Sequence, residues 1–224
     1  KQLLTAAQDL DFRVILTTNG TLLEQSSPIL LQAQALHKLN ISLHSFEANE
    51  PAFSLEQYIG SCAQTARLAA QKGVVCNFRL WNLDSQRLSG AHKENDAILS
   101  LLETYFPGPW QTNTRGYQLA SRVFLEWGER FEWPDLQACD NGDAGFCYGL
   151  RDQIGVLCDG TLVPCCLDHE GDLALGNVLQ ISLAELLSTP RAQAIYTGFS
   201  NRRRTEPLCR RCGYATRFDK SSRG

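Results

Sequence analysis

Apolar and polar positions repeat with two different periods through the first 125 residues. Residues 1–10 read as the end of a helix. Residues 12–16 are a short apolar run followed by Thr17, Thr18, Asn19 and Gly20, which predicts a buried strand closed by a tight turn. Residues 21–36 read as a helix, with Leu22, Leu23, Ile29, Leu30 and Leu36 among its apolar positions. Residues 39–44 alternate strictly: Leu39, Ile41 and Leu43 on one face, Asn40, Ser42 and His44 on the other. Residues 54–73 form a punctuated helix, opened by a capping box of Ser54 with Gln57 and stopped by Gly73. Its buried stripe is Leu55, Ile59, Cys62, Ala66 and Ala69, which makes Cys62 a core residue.

Residues 74–80 give a third strand. Val74, Cys76, Phe78 and Leu80 share one face, and Val75, Asn77 and Arg79 the other, so Cys76 also reads as core. Residues 94–106 are helical up to Pro107, Gly108 and Pro109. Residues 118–125 are a fourth strand with poorer alternation. Strand followed by helix three times over predicts an α/β fold with a parallel sheet. In a βα part-barrel the apolar strand faces meet the helices. The lumen then holds Thr17, Asn19, Asn40, Ser42, His44, Asn77 and Arg79, several of them near strand C-terminal ends, where barrel sites are built. A polar interior is costly unless it binds something. The plainer alternative is that these groups satisfy one another and water.

Beyond residue 128 the pattern changes. Residues 129–145 have no clear period and read as a linker. Residues 146–218 form a cysteine-rich module, and 219–224 a tail. Within the module, Cys147 and Cys165 bracket a hairpin, C-x17-C, and Cys209 and Cys212 form a C-x-x-C pair. Asp159-Gly160 predicts a two-residue type I′ turn. That register pairs Cys158 with Thr161, Val156 with Val163 and Ile154 with Cys165. Cys158 then lies about 13 Å along the ladder from Cys165, at about 3.4 Å per residue, too far to share one small site. Cys165 and Cys166 point to opposite faces if the strand reaches them, and parity does not choose between them. Residues 182–187 and 191–197 read as two short helices around Pro190, with Gly198 as a stop. Four thiolates gathered by a compact fold are a metal site.

Composition is that of an ordinary soluble globular protein, with 43% hydrophobic and 20% charged residues. No apolar run is long enough to span a membrane, and no secretory signal opens the chain. Nine cysteines exclude a complete internal disulfide framework; with no export signal, a reduced cytoplasmic setting is expected, where clustered cysteines mean metal or redox chemistry. The chain starts at Lys1 and has no methionine, so a fragment or processed product is expected. Net charge is −3, but residues 201–224 hold eight basic side chains against Glu206 and Asp219, a local +6. No RNA- or DNA-binding motif accompanies it, so nucleic acid is not an expected partner.

The strand ending T-T-N-G, the strand I-S-L, and above all D-G-T-L-V-P-C-C, then L-G-N, then C-x-x-C resemble the radical S-adenosylmethionine (SAM) enzymes that carry a C-terminal SPASM or Twitch domain. The resemblance covers nearly the whole chain. It implies a partial radical SAM (β/α) barrel followed by a small Cys-rich α+β domain with an auxiliary [4Fe-4S] cluster on Cys147, Cys165, Cys209 and Cys212. It thereby favours Cys165 over Cys166. By position it places Asn19, Ser42 and Arg79 beside SAM, with Arg79 toward the SAM carboxylate, a pairing that guanidinium geometry suits. An internal salt bridge is the plainer role for Arg79.

The family's C-x3-C-x2-C loop for the catalytic [4Fe-4S] cluster and its Gly-Gly-Glu segment are absent from these 224 residues. The chain is thus expected to be inactive alone and to need that missing N-terminal part. For the whole enzyme the resemblance implies reductive cleavage of SAM and radical modification or oxidation of a peptide or small molecule. The auxiliary cluster would transfer electrons or anchor substrate. An electron donor such as flavodoxin or ferredoxin is implied as a partner. Arg202, Arg203, Arg204, Arg210 and Arg211 either place positive charge near the cluster or are solvated surface. Two rivals remain: a non-enzymatic binding module with structural zinc on the same four cysteines, which spacing does not exclude, and a thiol–disulfide protein using Cys209 and Cys212, which leaves Cys147 and the hairpin unexplained.

Overall fold

The computed structural model describes residues 1–46, 53–83, 93–129 and 131–218. The chain divides into two compact units, Lys1–Arg130 and Phe131–Gly224. The expected tail 219–224 lies outside the described residues.

The first unit is an α/β layer. Its elements are α1 (Gln2–Asp9), β1 (Val14–Thr18), α2 (Leu23–Leu30), β2 (Leu36–Ser42), α3 (Leu55–Gln71), β3 (Val75–Leu83), α4 (Lys93–Tyr105), β4 (Gln111–Asn113), β5 (Gly116–Ala120) and β6 (Val123–Glu129). One six-stranded sheet runs β1-β2-β3-β6-β5-β4. β1, β2, β3 and β6 are parallel, and β6, β5 and β4 form an antiparallel meander. The apolar faces of β2, β3 and β6 (Leu39, Ile41, Cys76, Phe78, Leu80, Val123, Leu125) pack with Ile59, Cys62, Ala63, Ala66 and Ala69 of α3. Strand alternation and helix periodicity thus meet in one core. α3 begins at the capping box: Ser54 Oγ accepts the Gln57 N–H, and Gln57 Oε1 accepts the Ser54 N–H.

Three sequence expectations change here. β1 is an edge strand rather than a buried one, with Ile15 60% exposed, because among the described residues it pairs only with β2. The helix expected over 21–36 stops at Leu30, since Leu36 is taken into the parallel ladder opposite Val14. The single strand expected over 118–125 is two, turning at Ser121 and Arg122, where Arg122 takes φ 61°. A side chain at Gly116 would run into Leu125 O of the neighbouring strand.

The second unit has little regular structure: a three-stranded sheet of β7 (Gly155–Val156), β8 (Thr161–Val163) and β9 (Gly176–Asn177), and helices α5 (Leu183–Leu187), α6 (Pro190–Ser200) and α7 (Pro207–Arg210). Its core is small: Leu162, Leu175, Leu186, Ala192, Ile195 and Phe199. α6 continues through Gly198, which is buried against Thr205 and the Arg203 carbonyl and does not stop the helix.

Residues 131–145, expected as part of a linker, are grouped with this unit. Asn141 N–H donates to Arg210 O, Gly145 N–H to Arg202 O, and Arg211 Nε to Ala138 O, so the segment runs along the chain that carries the C-x-x-C pair. Among the described residues no helix is long and apolar enough to cross a membrane.

Candidate functional site

The hairpin that delivers Cys165 has a different register from the expected one. Gly155 faces Val163 and Val156 faces Leu162, and Leu157 N–H donates to Thr161 O at 2.9 Å. The loop is therefore three residues, Cys158, Asp159 and Gly160. Gly160 N–H donates to Leu157 O, and among these three only Gly160 takes positive φ, at 89°. A type I turn followed by a left-handed glycine is the next preferred hairpin connection after the two-residue turns. The Asp159 carboxylate selects it by accepting both the N–H and the Oγ1–H of Thr161 at 2.9 Å. Cys158 sits exposed in this loop, outside the ladder. β8 ends at Val163, before Pro164, so strand parity does not reach Cys165 or Cys166.

Three stretches converge around four sulfurs. Cys147 follows residues 143–145, which pair with residues 202–204: Arg204 N–H donates to Asp143 O at 2.6 Å and Gly145 N–H to Arg202 O at 2.8 Å. Cys165 opens a loop closed by the buried Asp168, whose carboxylate accepts the N–H groups of Asp172 and Leu173 at 2.9 Å. Cys209 lies in α7, which starts on Pro207, a position where the missing N–H costs nothing. Glu206 just before it forms a two-pronged ion pair with Arg191, both contacts 2.9 Å, and Arg191 also donates to Ala174 O. Cys212 is 7% exposed, and its carbonyl accepts the Ala215 N–H.

Electrostatics tie the four thiols together. Burial pushes all four up, Cys165 to about 11. Next for Cys209 comes repulsion from Cys147, Cys165 and Cys212, which places Cys209 near the other three. Opposing that, backbone N–H groups face three of the sulfurs: Gly149 and Tyr148 at Cys147, Leu167 and Asp168 at Cys165, Ala215 and Tyr214 at Cys212. Donors aimed at sulfur favour the thiolate, the form that binds metal. Cys166, next to Cys165, is exposed but close enough to repel both Cys147 and Cys165. Cys139 is exposed.

Among the described residues no three His, Cys, Asp or Glu side chains lie close enough to hold a single metal ion. A tetrahedral zinc, with Zn–S about 2.3 Å, needs its sulfurs about 3.8 Å apart. A cluster of several irons and sulfides spreads its ligands wider. The donor set present, four gathered thiols served by backbone N–H groups, fits such a cluster.

In the first unit, the sheet face opposite α3 carries polar side chains of β1, β2 and β3 beside the apolar Phe124 of β6, whereas His44, expected on the same strand face, lies past the end of β2 in a short 3-10 turn. Ladder register puts Thr17, Asn40 and Asn77 in one row and Ser42 beside Arg79 in the next, with Glu126 beyond. Asn19 follows Thr18, the last residue of β1. Tyr58 Oη donates to Asn19 O at 2.6 Å and lies 3.4 Å from Ser42 O. Asn19 Oδ1 accepts from the N–H and Oγ1 of Thr21. The Arg79 guanidinium lies 4.6 Å from the Trp81 ring centre. His44 Nδ1 is 3.1 Å from Arg79 O and 3.3 Å from Trp81 N, and burial holds the ring's pKa down. Asn77 is fully buried, yet neither amide atom has a partner among the described residues, and Asn40 Oδ1 is likewise orphaned. The equally buried Asn95 instead exchanges two hydrogen bonds with Asn82. Orphaned buried amides are rare.

Residues 147–213 match the model of the SPASM family, an iron–sulfur cluster-binding domain. No curated protein and no solved structure shows a significant match to the chain. The matched span opens on Cys147 and closes one residue after Cys212. It also contains Asp168 and Arg204, which sequence reasoning did not single out. Asp168 is visible only as the D of C-C-L-D, and Arg204 only as one of five arginines.

Proposed function

We propose that the second unit holds a [4Fe-4S] cluster on Cys147, Cys165, Cys209 and Cys212, as the auxiliary centre of a radical SAM enzyme. The observation that carries this reading is the meeting of four thiols from three separate stretches inside the span that is similar to an iron–sulfur cluster-binding domain. When bound, the cluster supplies one-electron transfer. Backbone N–H groups facing three of the sulfurs would favour their metal-bound thiolate form, and burial would keep water away.

In a protein that supplies the C-x3-C-x2-C loop, Arg79 and Ser42 would face SAM, with the guanidinium on its carboxylate and Asn19 at the rim of the pocket. The pairing of Ser42 with Arg79, one row on from buried Asn40 and Asn77, supports this. Such an enzyme would cleave SAM reductively and oxidise or modify a peptide or small molecule. It would draw electrons from a flavodoxin or ferredoxin in a reducing compartment such as the cytoplasm.

Anaerobic iron and sulfide analysis with a UV–visible spectrum tests the metal centre. The expected result is about four irons and about four sulfides per chain, with a brown band that bleaches on reduction. A colourless protein with one zinc per chain would sink the proposal.

A further inference from the structure

A group of aromatic rings joins two of the cysteine-bearing stretches of the second unit. Phe146 and Tyr148 stand on either side of Cys147 in the chain, and Tyr214 stands two residues past Cys212. Phe218 meets all three. Its ring centre lies 6.4 Å from that of Phe146, 5.1 Å from Tyr148 and 5.6 Å from Tyr214, each pair edge to face, an arrangement that ring quadrupoles favour. Phe146 and Tyr148 also meet each other edge to face at 4.9 Å. Phe218 ends a 3-10 turn, Ala215–Phe218, that hangs on the C-x-x-C backbone. Ala215 N–H donates to Cys212 O, Thr216 Oγ1 to Gly213 O at 2.7 Å, and Arg217 N–H to Tyr214 O. Cys147 itself packs against the small apolar core that also receives Cys209. Leu150 N–H donates to Pro164 O, one residue before Cys165.

We infer that Phe218 is a positioning residue for the metal centre: its ring holds the stretch bearing Cys147 against the stretch bearing Cys212. This rests on the cluster reading above. Bringing distant stretches together costs chain entropy, and thiolates gathered at one place repel one another. Contacts that do not involve sulfur have to offset both before metal arrives. Ring-on-ring contacts suit this task, because their geometry is specific and they bring no net charge to the sulfurs. Phe218 touches both stretches at once. Trp133, at the far end of the same series of rings, meets only Phe131 and His169 among the described rings. Phe218 thus acts on the metal as groups that orient ligands do, through the ligands and without touching the metal.

The test is anaerobic release of iron from the cluster-loaded protein to excess EDTA, followed by loss of the brown absorbance. Wild type is compared with Phe218→Ala, Phe218→Tyr and the ring control Trp133→Ala, and circular dichroism follows the fold of each. Phe218→Ala should release iron about tenfold faster than wild type, the low end of what loss of a ligand-orienting group costs a metal site. Phe218→Tyr, which keeps the ring, should bring release back to the rate of the control, and Trp133→Ala should stay close to wild type. An alanine variant no faster than the control, or a tyrosine variant as fast as the alanine one, overturns the inference and leaves the cluster reading intact. If Phe218→Ala takes up no iron, Phe218→Leu decides: release faster than the control supports the inference, and release at the control rate overturns it. Wild-type protein that takes up no iron overturns the cluster reading and this inference with it.

Discussion

Cys62 and Cys76 in the first unit, and the four convergent cysteines in the second, are all pushed toward the neutral thiol by burial, yet their surroundings differ in kind. Cys62 and Cys76 are fully buried in an apolar core, and Cys76 Sγ donates to Ala66 O as an ordinary small core residue would. Cys147, Cys165 and Cys212 are each met by backbone donors, and Cys209 is repelled by all three. Company, more than burial, decides what a cysteine does. The same contrast extends to whole units. The first has a sheet-and-helix core of more than twenty buried side chains, the second a cluster of six. A unit of that size with so small a core is the kind that needs a staple.

Removing the metal should separate the units most sharply. Cys147→Ala, or iron stripping, should abolish iron binding and cost the second unit on the order of several kcal/mol, because binding energy there is folding energy. Segment-resolved hydrogen exchange checks this: protection should fall across residues 131–218 and hold across the first unit. Equal loss in both would break the comparison. The converse is Phe78→Ala, which should cost the first unit about 3–5 kcal/mol and leave iron per chain unchanged.

Alkaline pH gives a subtler contrast. A thiol raised above its ordinary 9.0 binds its proton more tightly in the folded than in the unfolded state. The stability it contributes is full below pH 9 and is lost as pH rises through the folded value. For the metal-free second unit that window runs from 9 to about 11 at Cys165. It should vanish from the loaded protein, whose sulfurs carry no proton. For Cys62 and Cys76, pushed up to about 12, loading should change nothing. Thermal melts of both forms at pH 8 and 10 measure the difference. The smallest effect is Ser54→Ala, which removes the cap of α3 and should cost the first unit about 1 kcal/mol by chemical denaturation. Ser182, the cap of α5, offers the matching change in the second.

Much of this was legible in the sequence where the cause is local. The capping box at Ser54, the alternation of Leu39 with Asn40 and of Phe78 with Asn77, and the C-x-x-C spacing of Cys209 and Cys212 each act within a few residues. Elements whose form depends on distant partners were not. The helix expected to reach Leu36 was cut short by a ladder with Val14, and the expected linker bonds to residues 202–211, far along the chain. Asp159-Gly160 suits two hairpin loops, and contacts of Asp159 with Thr161 and of Asn177 with the Asp159 carbonyl settled which one forms.

By itself, then, the sequence determined the periodicities, the caps and the inventory of thiols, because those follow from steric and hydrogen-bonding rules acting over one to four residues. Only the tertiary structure decided which arginine of five is buried and which amides have no partner. Burial and electrostatic range are properties of what the fold brings near, and no spacing along the chain encodes them.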